Sequence, residues 1–293
     1  MPTMCFRTTH HSNVMERIIP TVIIRRSLVV LLVPALVFLL PVCSNINIFP
    51  VSEDKALGAS LDAQIRANPK EYPILRNASA QAYVQRMIDR VIASPDVKYR
   101  KTFAYTVEII NDVKTINAFC TPGGYIYVYT GLLNMLDNEA ALAGVLGHEI
   151  AHAELRHSTS RMTKAYGVQL LMDLALGNDP NRMVELAANA FAGLGLLMNS
   201  RDDEMEADDY SFRYLRSTSW YPGGIKYFFE NVKKRPASDL ERLLSTHPLP
   251  QDRIDATNER LRRNNIPSPS EAQLNSRAYA EFKRSIGGPR TGR

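Results

Sequence analysis

Residues 148–152 read His148-Glu149-Ile150-Ala151-His152 inside a segment with the apolar spacing of a helix. Four residues of α-helix turn the chain by about 400°, so both imidazoles leave one face, where they can reach a single tetrahedral metal ion. Glu149 then lies beside the ion and can take a proton from a water that the metal activates. A pentapeptide of this kind also arises by chance, as two half-buried histidines with ordinary hydrogen bonds. The rest of the chain weighs between these readings.

Asp137-Asn138-Glu139 supplies a helix start, and Ala140, Leu142, Val145, Leu146, Ile150 and Ala151 form a dense apolar stripe. The motif therefore sits on a buried helix. Gly144 and Gly147 interrupt that stripe; glycine costs a helix roughly 1 kcal/mol against alanine, so another backbone or a substrate is expected to approach closely there.

A catalytic zinc takes three protein ligands and keeps one open position. Leu155 and Ser158 stand where a metzincin would need glycine and histidine, which excludes that class. His157 lies five residues after His152, about 140° round a continuous helix, and reads as a polar neighbour of the site in preference to a ligand. The alternative is a carboxylate from Ser200-Arg201-Asp202-Asp203-Glu204-Met205-Glu206-Ala207-Asp208. Glu204 and Asp208 share a helix face, so Glu204 could bind the metal while Asp208 orients a histidine; Glu206 points elsewhere. On composition alone this acidic run reads as a solvated face. Six histidines occur in the chain, and His10 and His11 fall in an N-terminal leader. The other four are His148, His152, His157 and His247, the last within Thr246-His247-Pro248 ahead of Arg253.

Together with Asn117-Ala118-Phe119 and Pro122-Gly123-Gly124 through Thr130-Gly131-Leu132-Leu133, these blocks resemble the HtpX-like and CAAX-prenyl-protease family of zinc metallopeptidases over roughly residues 51–262. The resemblance implies one Zn2+ per chain held by His148, His152 and Glu204, with Glu149 as general base and Asp208 behind a ligand. It implies that His247 and Arg253 approach metal or substrate from the far side, His247 either stabilising the transition state or capping the zinc. Both roles for His247 stay open. Tyr210 is a weaker candidate for the donor that faces the oxyanion. The implied activity is that of a metalloendopeptidase acting on unfolded or misassembled cell-envelope proteins. The rival reading is a non-proteolytic envelope chaperone or assembly factor with structural zinc, against which the intact Glu149 speaks.

Tyr125-Ile126-Tyr127-Val128-Tyr129 alternates aromatic and β-branched residues, and Phe103–Ile110 is a second strand pattern. The expected fold is α+β and predominantly helical: a zincin-like domain with a small sheet. Tyr125, Ile126 and Tyr127 are expected on its edge strand, bordering the zinc helix and pairing with an extended substrate. Helical periodicity marks 52–67, 79–94, 138–163, 164–176, 181–199, 201–216, 223–233 and 250–263, with one further helix at 271–284. The apolar stretch Met183–Met198 is too short to span a bilayer and suits a packed hairpin near the site, with a lid or a membrane-facing patch also open.

Arg25-Arg26 precede an uninterrupted apolar run of 15 residues, Leu28–Val42, ending at Cys43, as in a signal-peptide core. Leu40-Pro41-Val42-Cys43 resembles a lipobox, with Val42 where a small residue is usual. Lipidation at Cys43, which implies an outer-membrane lipoprotein, cleavage elsewhere in the periplasm, or retention as an anchor all stay open, and Met15 is a second candidate start. The expected organisation is a leader at 1–43, a metallopeptidase domain at 44–265 and a polar, partly disordered tail at 266–293. The net charge of +5 falls to +2 once the leader's four arginines and one glutamate are set aside, which gives nucleic-acid binding little support. Cys120 is then the only cysteine after the leader, expected as a buried thiol.

Overall fold

A computed structural model of the chain describes residues 47–175, 199–248 and 251–288. The leader, Cys43 and the Met183–Met198 stretch lie outside these residues. Two helices come first, α1 (Val51–Ala67) and α2 (Ala78–Ile92). Asn77 caps α2 by accepting from the Ala80 amide at 3.1 Å, and Val84, Met87, Ile88 and Val91 turn one face into the core.

Three strands follow, β1 (Thr106–Ile110), β2 (Ala118–Thr121) and β3 (Tyr125–Tyr129). β3 lies in the middle, parallel to β1 and antiparallel to β2. The turn between β2 and β3 is Pro122-Gly123-Gly124, where Gly123 takes a φ of 75° that a residue with a Cβ rarely adopts. This order corrects the expectation that Tyr125, Ile126 and Tyr127 form an edge. Their strand is paired on both sides, with Tyr127 opposite Glu108 in β1 and Phe119 in β2. The edge that packs beside the motif helix belongs to β2. β2 has four residues, all buried, so it carries no alternation that a period-two reading could detect.

A short helix α3 (Thr130–Met135) leads to α4 (Glu139–Glu154), the helix of the motif, in which every residue is buried. Asn138 caps it through the Ala141 amide at 2.8 Å. α4 ends sooner than periodicity predicts. Arg156 adopts a φ of 57°, with its guanidinium bonded to Asp54 at 2.7 Å and to the Phe49 carbonyl, so α5 (His157–Ala175) starts in a new direction. The expected 138–163 helix is thus two helices broken at 155–156.

Next come α6 (Arg201–Leu215) and α7 (Gly224–Val232). A capping box between Ser200 and Asp203 starts α6. The glycines of α4 record the contact with both helices. A Cβ on Gly144 would stand 2.3 Å from the Ile225 nitrogen, and one on Gly147 would stand 2.7 Å from Ser211 Oγ. A 3-10 turn at Ala237–Leu240 leads into α8 (Glu241–Thr246), followed by α9 (Gln251–Arg263), α10 (Glu271–Leu274) and α11 (Ser276–Ser285). Asn275, at a φ of 51°, breaks the single helix expected over 271–284. The segment expected as a polar tail docks on the core instead. Tyr279 and Phe282 are buried, the Tyr279 hydroxyl donates to the Leu133 carbonyl at 2.7 Å, and Lys283 donates to the Leu136 carbonyl at 2.7 Å. The domain therefore continues past 265. No helix among the described residues is long and apolar enough to cross a membrane.

Candidate metal centre

α4 projects His148 and His152 from one face, with their Nε2 atoms 3.0 Å apart. α6 brings Glu204 against both: Oε2 lies 3.4 Å from His148 Nε2 and Oε1 lies 3.2 Å from His152 Nε2. His247, at the C-terminal end of α8, places Nδ1 3.0 Å from Glu204 Oε1. All four side chains are buried, and one donor atom from each falls within a 4.8 Å cluster. Donors about 2.0–2.2 Å from a tetrahedral ion are separated by roughly 3.3–3.6 Å, so the spacings here are close to those of a metal's ligand shell. Nitrogen and carboxylate donors suit a first-row divalent ion.

The charge balance points the same way. Glu149, Glu204 and Asp208 are three buried carboxylates, and among the described residues Arg253 is the one guanidinium bound to them, through Glu204 and Asp208. Burial disfavours charge on Glu204, but the neighbouring His247 and His148 hold it well below the usual carboxylate range. Burial pulls His148 down, yet Glu204 and Asp208 push it up to about 10. The pocket thus draws in positive charge, as a proton on His148 or as a cation.

Each α4 histidine is oriented from behind. Asp208 Oδ1 lies 2.9 Å from His148 Nδ1, which leaves Nε2 free to face the cluster. Arg253 fixes Asp208 through Nε and Nη2 at 2.7 Å each, and Glu204 through Nη1 at 2.5 Å. Its Nη1 also donates to the Pro248 carbonyl at 3.1 Å, and the guanidinium lies 4.7 Å from the centre of the Phe229 ring. Arg253 thus clamps the two carboxylates, and it also lines the cavity beside Glu149 and His247. His152 Nδ1 meets His157 Nδ1 at 2.7 Å, and His157 Nε2 lies 3.4 Å from Glu206. The break at Arg156 makes this possible, because on one continuous helix His157 would face away. Glu206 therefore does reach the periphery of the site.

Glu149 places Oε1 3.7 Å from His247 Nε2. Burial raises its carboxyl above the ordinary value, opposed by the charges of His247 and His148. A cavity of about 20 Å³ lies here, lined by His148, Glu149, His247 and Arg253 together with Ala118, Leu132, Val145, Ile225, Phe228 and Leu243. It has room for about one water. Ala118 brings the start of β2 to this cavity, and the neighbouring Asn117 is buried with neither amide atom bonded among the described residues. Tyr210 is elsewhere, its ring 6.0 Å from Tyr214 and 4.7 Å from the Arg213 guanidinium. Cys120 is a buried free thiol, raised well above its ordinary pKa by burial.

Asn199 was missed by sequence reasoning. Its Nδ2 lies 2.6 Å from Glu204 Oε1, 3.2 Å from His152 Nε2 and 3.2 Å from His247 Nδ1. Its backbone amide also donates to the Thr246 carbonyl at 3.0 Å, tying the residue before His247 to the start of α6. The one signal in the sequence is its place next to the Ser200 cap.

A buried His-His-Glu-His cluster with a glutamate at its side, carried by a helix packed on a small sheet, defines the class: a zincin-like α+β metallopeptidase domain. Residues 78–261 match Peptidase family M48, and the chain belongs to that family. It is 31% identical over 216 residues to a "Putative beta-barrel assembly-enhancing protease" of Vibrio cholerae, covering 69% of this chain and 43% of that protein. It is 32% identical over 153 residues to "Metalloprotease LoiP" of Escherichia coli, covering 50% of this chain and 60% of the relative. "Mitochondrial metalloendopeptidase OMA1" of Arabidopsis thaliana is 33% identical over 145 residues, covering 50% of this chain and 29% of the relative. The chain spans about half the length of the curated relatives it matches.

Proposed function

We propose that the chain is a zinc metalloendopeptidase that cleaves unfolded or misassembled proteins of the cell envelope, and that His247 holds it in a resting state. The observation that carries the reading is the convergence of four buried donor atoms next to Glu149. In this scheme His148, His152 and Glu204 hold the ion, and Asp208, Arg253 and His157 keep those ligands in register. Zinc, when bound, would polarise the scissile carbonyl and acidify the attacking water. Glu149 accepts the proton of that water and returns it to the leaving amine; its raised proton affinity favours the first of these transfers. The substrate is proposed to lie along the β2 edge, near Ala118 and Asn117, by backbone pairing.

Two observations favour the capping role of His247 over a purely catalytic one. His247 belongs to the cluster of donor groups, and the cavity beside Glu149 is too small for a peptide. An opening of α8 would move His247 off the metal and Leu243 out of the cavity together. The names of the relatives support an envelope setting. Attachment of the chain to a membrane through a lipid on Cys43 or an N-terminal anchor is part of the proposal.

The test is digestion of casein and of a urea-unfolded outer-membrane protein, with and without chelator. Cleavage should vanish with chelator. Glu149→Gln should retain stoichiometric zinc and lose at least about 10²-fold in turnover. Stoichiometric zinc without chelator-sensitive cleavage, persisting in His247→Ala, would favour the chaperone reading.

A further inference from the structure

A second cavity, of about 220 Å³, opens at the N-terminal end of α4 and is lined by Tyr83, Arg86, Met87, Arg90, Glu139, Trp220 and Asn275. Glu139 and His148 are nine positions apart, or roughly 13.5 Å along the helix, so this is not the metal site. Arg86 and Arg90 stand one turn apart on α2, both exposed, and neither has a carboxylate partner among the described residues. The Arg90 guanidinium sits 5.6 Å from the centre of the Trp220 ring. On the floor, Glu139 is buried and accepts from Trp220 Nε1 at 2.9 Å, from Asn275 Nδ2 at 2.7 Å and from the Tyr83 hydroxyl.

We propose that this cavity binds the free C-terminal end of a polypeptide, with a preference for an apolar or aromatic last residue. Two guanidiniums one turn apart suit a carboxylate, which arginine takes in paired, charge-assisted hydrogen bonds. Trp220, Met87 and Tyr83 offer the wall against which the last side chain packs. Glu139 Oε1 receives one donor and Oε2 two, so Oε1 keeps capacity for the amide N–H of the terminal residue. A phosphate dianion meets the same carboxylate with no such donor, and the cavity is smaller than the roughly 300–1,000 Å³ of a drug-sized ligand site. The proposal takes from the proposed function only that polypeptides are what the chain handles.

Trp220 is the sole tryptophan and therefore reports on this cavity alone. The Glu149→Gln protein would be titrated, following Trp220 emission, with an N-acetylated tripeptide ending in phenylalanine as the free acid. The same peptide as its C-terminal amide, free phenylalanine and inorganic phosphate complete the series. The acid should give a saturable change, and the amide should bind at least about tenfold more weakly. Arg86→Gln with Arg90→Gln should weaken the acid to a similar extent at unchanged melting temperature, since both side chains lie at the surface. No response to the acid, equal binding of acid and amide, or an unaffected double variant would overturn the proposal. So would phosphate or free phenylalanine binding as well as the peptide acid. Binding is read without cleavage, so its failure is separable from failure of the protease assignment.

Discussion

At the residue scale, the site is built from pairs in which one group sets the other. Asp208 sets His148, His157 sets His152, and Arg253 holds both Asp208 and Glu204. Asn199 is a second link between this frame and His247, beside the direct His247–Glu204 contact, bonded to His247 and Glu204 by its side chain and to Thr246 by its backbone. If His247 caps the metal, His247→Ala should raise turnover severalfold on an unfolded substrate, and Asn199→Ala should raise it part of the way. Asn199→Ala should then add nothing in the His247→Ala background, because the two act through one contact; additive gains would separate them. Asp208 gives a pH prediction. Burial opposes its charge, but the ion pair and hydrogen bonds with Arg253 and His148 hold it below its ordinary value. Its stabilisation is therefore fully present above the unfolded value of about 3.9 and is lost as pH falls through the lower folded value. Metal-free protein should keep its melting temperature down to about pH 4 and lose it below, with a shallower fall in Asp208→Asn.

Elements explain which of these positions could be read in advance. His148, Glu149 and His152 are legible because they lie within one turn of one helix, where sequence spacing is spatial spacing. Glu204 and Asp208 share a face for the same reason, but their meeting with α4 depends on packing between helices distant in sequence. The glycines of α4 signalled that packing without naming the partner. Gly144→Ala would press a methyl against the Ile225 backbone, which cannot swing aside as a side chain does. It should cost about 1–3 kcal/mol in denaturant unfolding, and should lower zinc affinity as α7 is pushed off α4. Unchanged stability would mean that the helices separate freely. The strand reading failed at a related point. An aromatic alternation identifies Tyr125–Tyr129 as a strand, yet its position in the sheet depends on which segments pair with it.

For the whole molecule, the metal centre is a cross-link. It joins α4, α6 and the segment carrying His247, and its carboxylates are neutralised by one arginine and by whatever cation is present. Removing the metal should therefore destabilise the fold as well as stop catalysis. With ligand at 100 times its dissociation constant, linkage alone gives about 2.7 kcal/mol. Chelation should lower the melting temperature by several degrees, restored by added zinc; an unchanged melt would place the ion outside the folded cluster. The C-terminal helices belong to the same unit. Asn275 bonds Glu139 at 2.7 Å and Lys283 reaches the turn before α4, so the end of the chain holds the start of the motif helix.

The sequence by itself pointed to the chemistry: two histidines and a glutamate on one buried helix, a carboxylate pair on another, and a further histidine downstream. These are local patterns, fixed by the period of the helix and by the few residue types that bind metals. Tertiary structure alone decided that β2 is the edge beside α4, that Arg253 clamps carboxylates, that His157 reaches His152 across a helix break, and that Asn199 touches the centre of the site. Each depends on contacts between segments far apart in the chain or on a single left-handed residue, and neither leaves a period in the sequence.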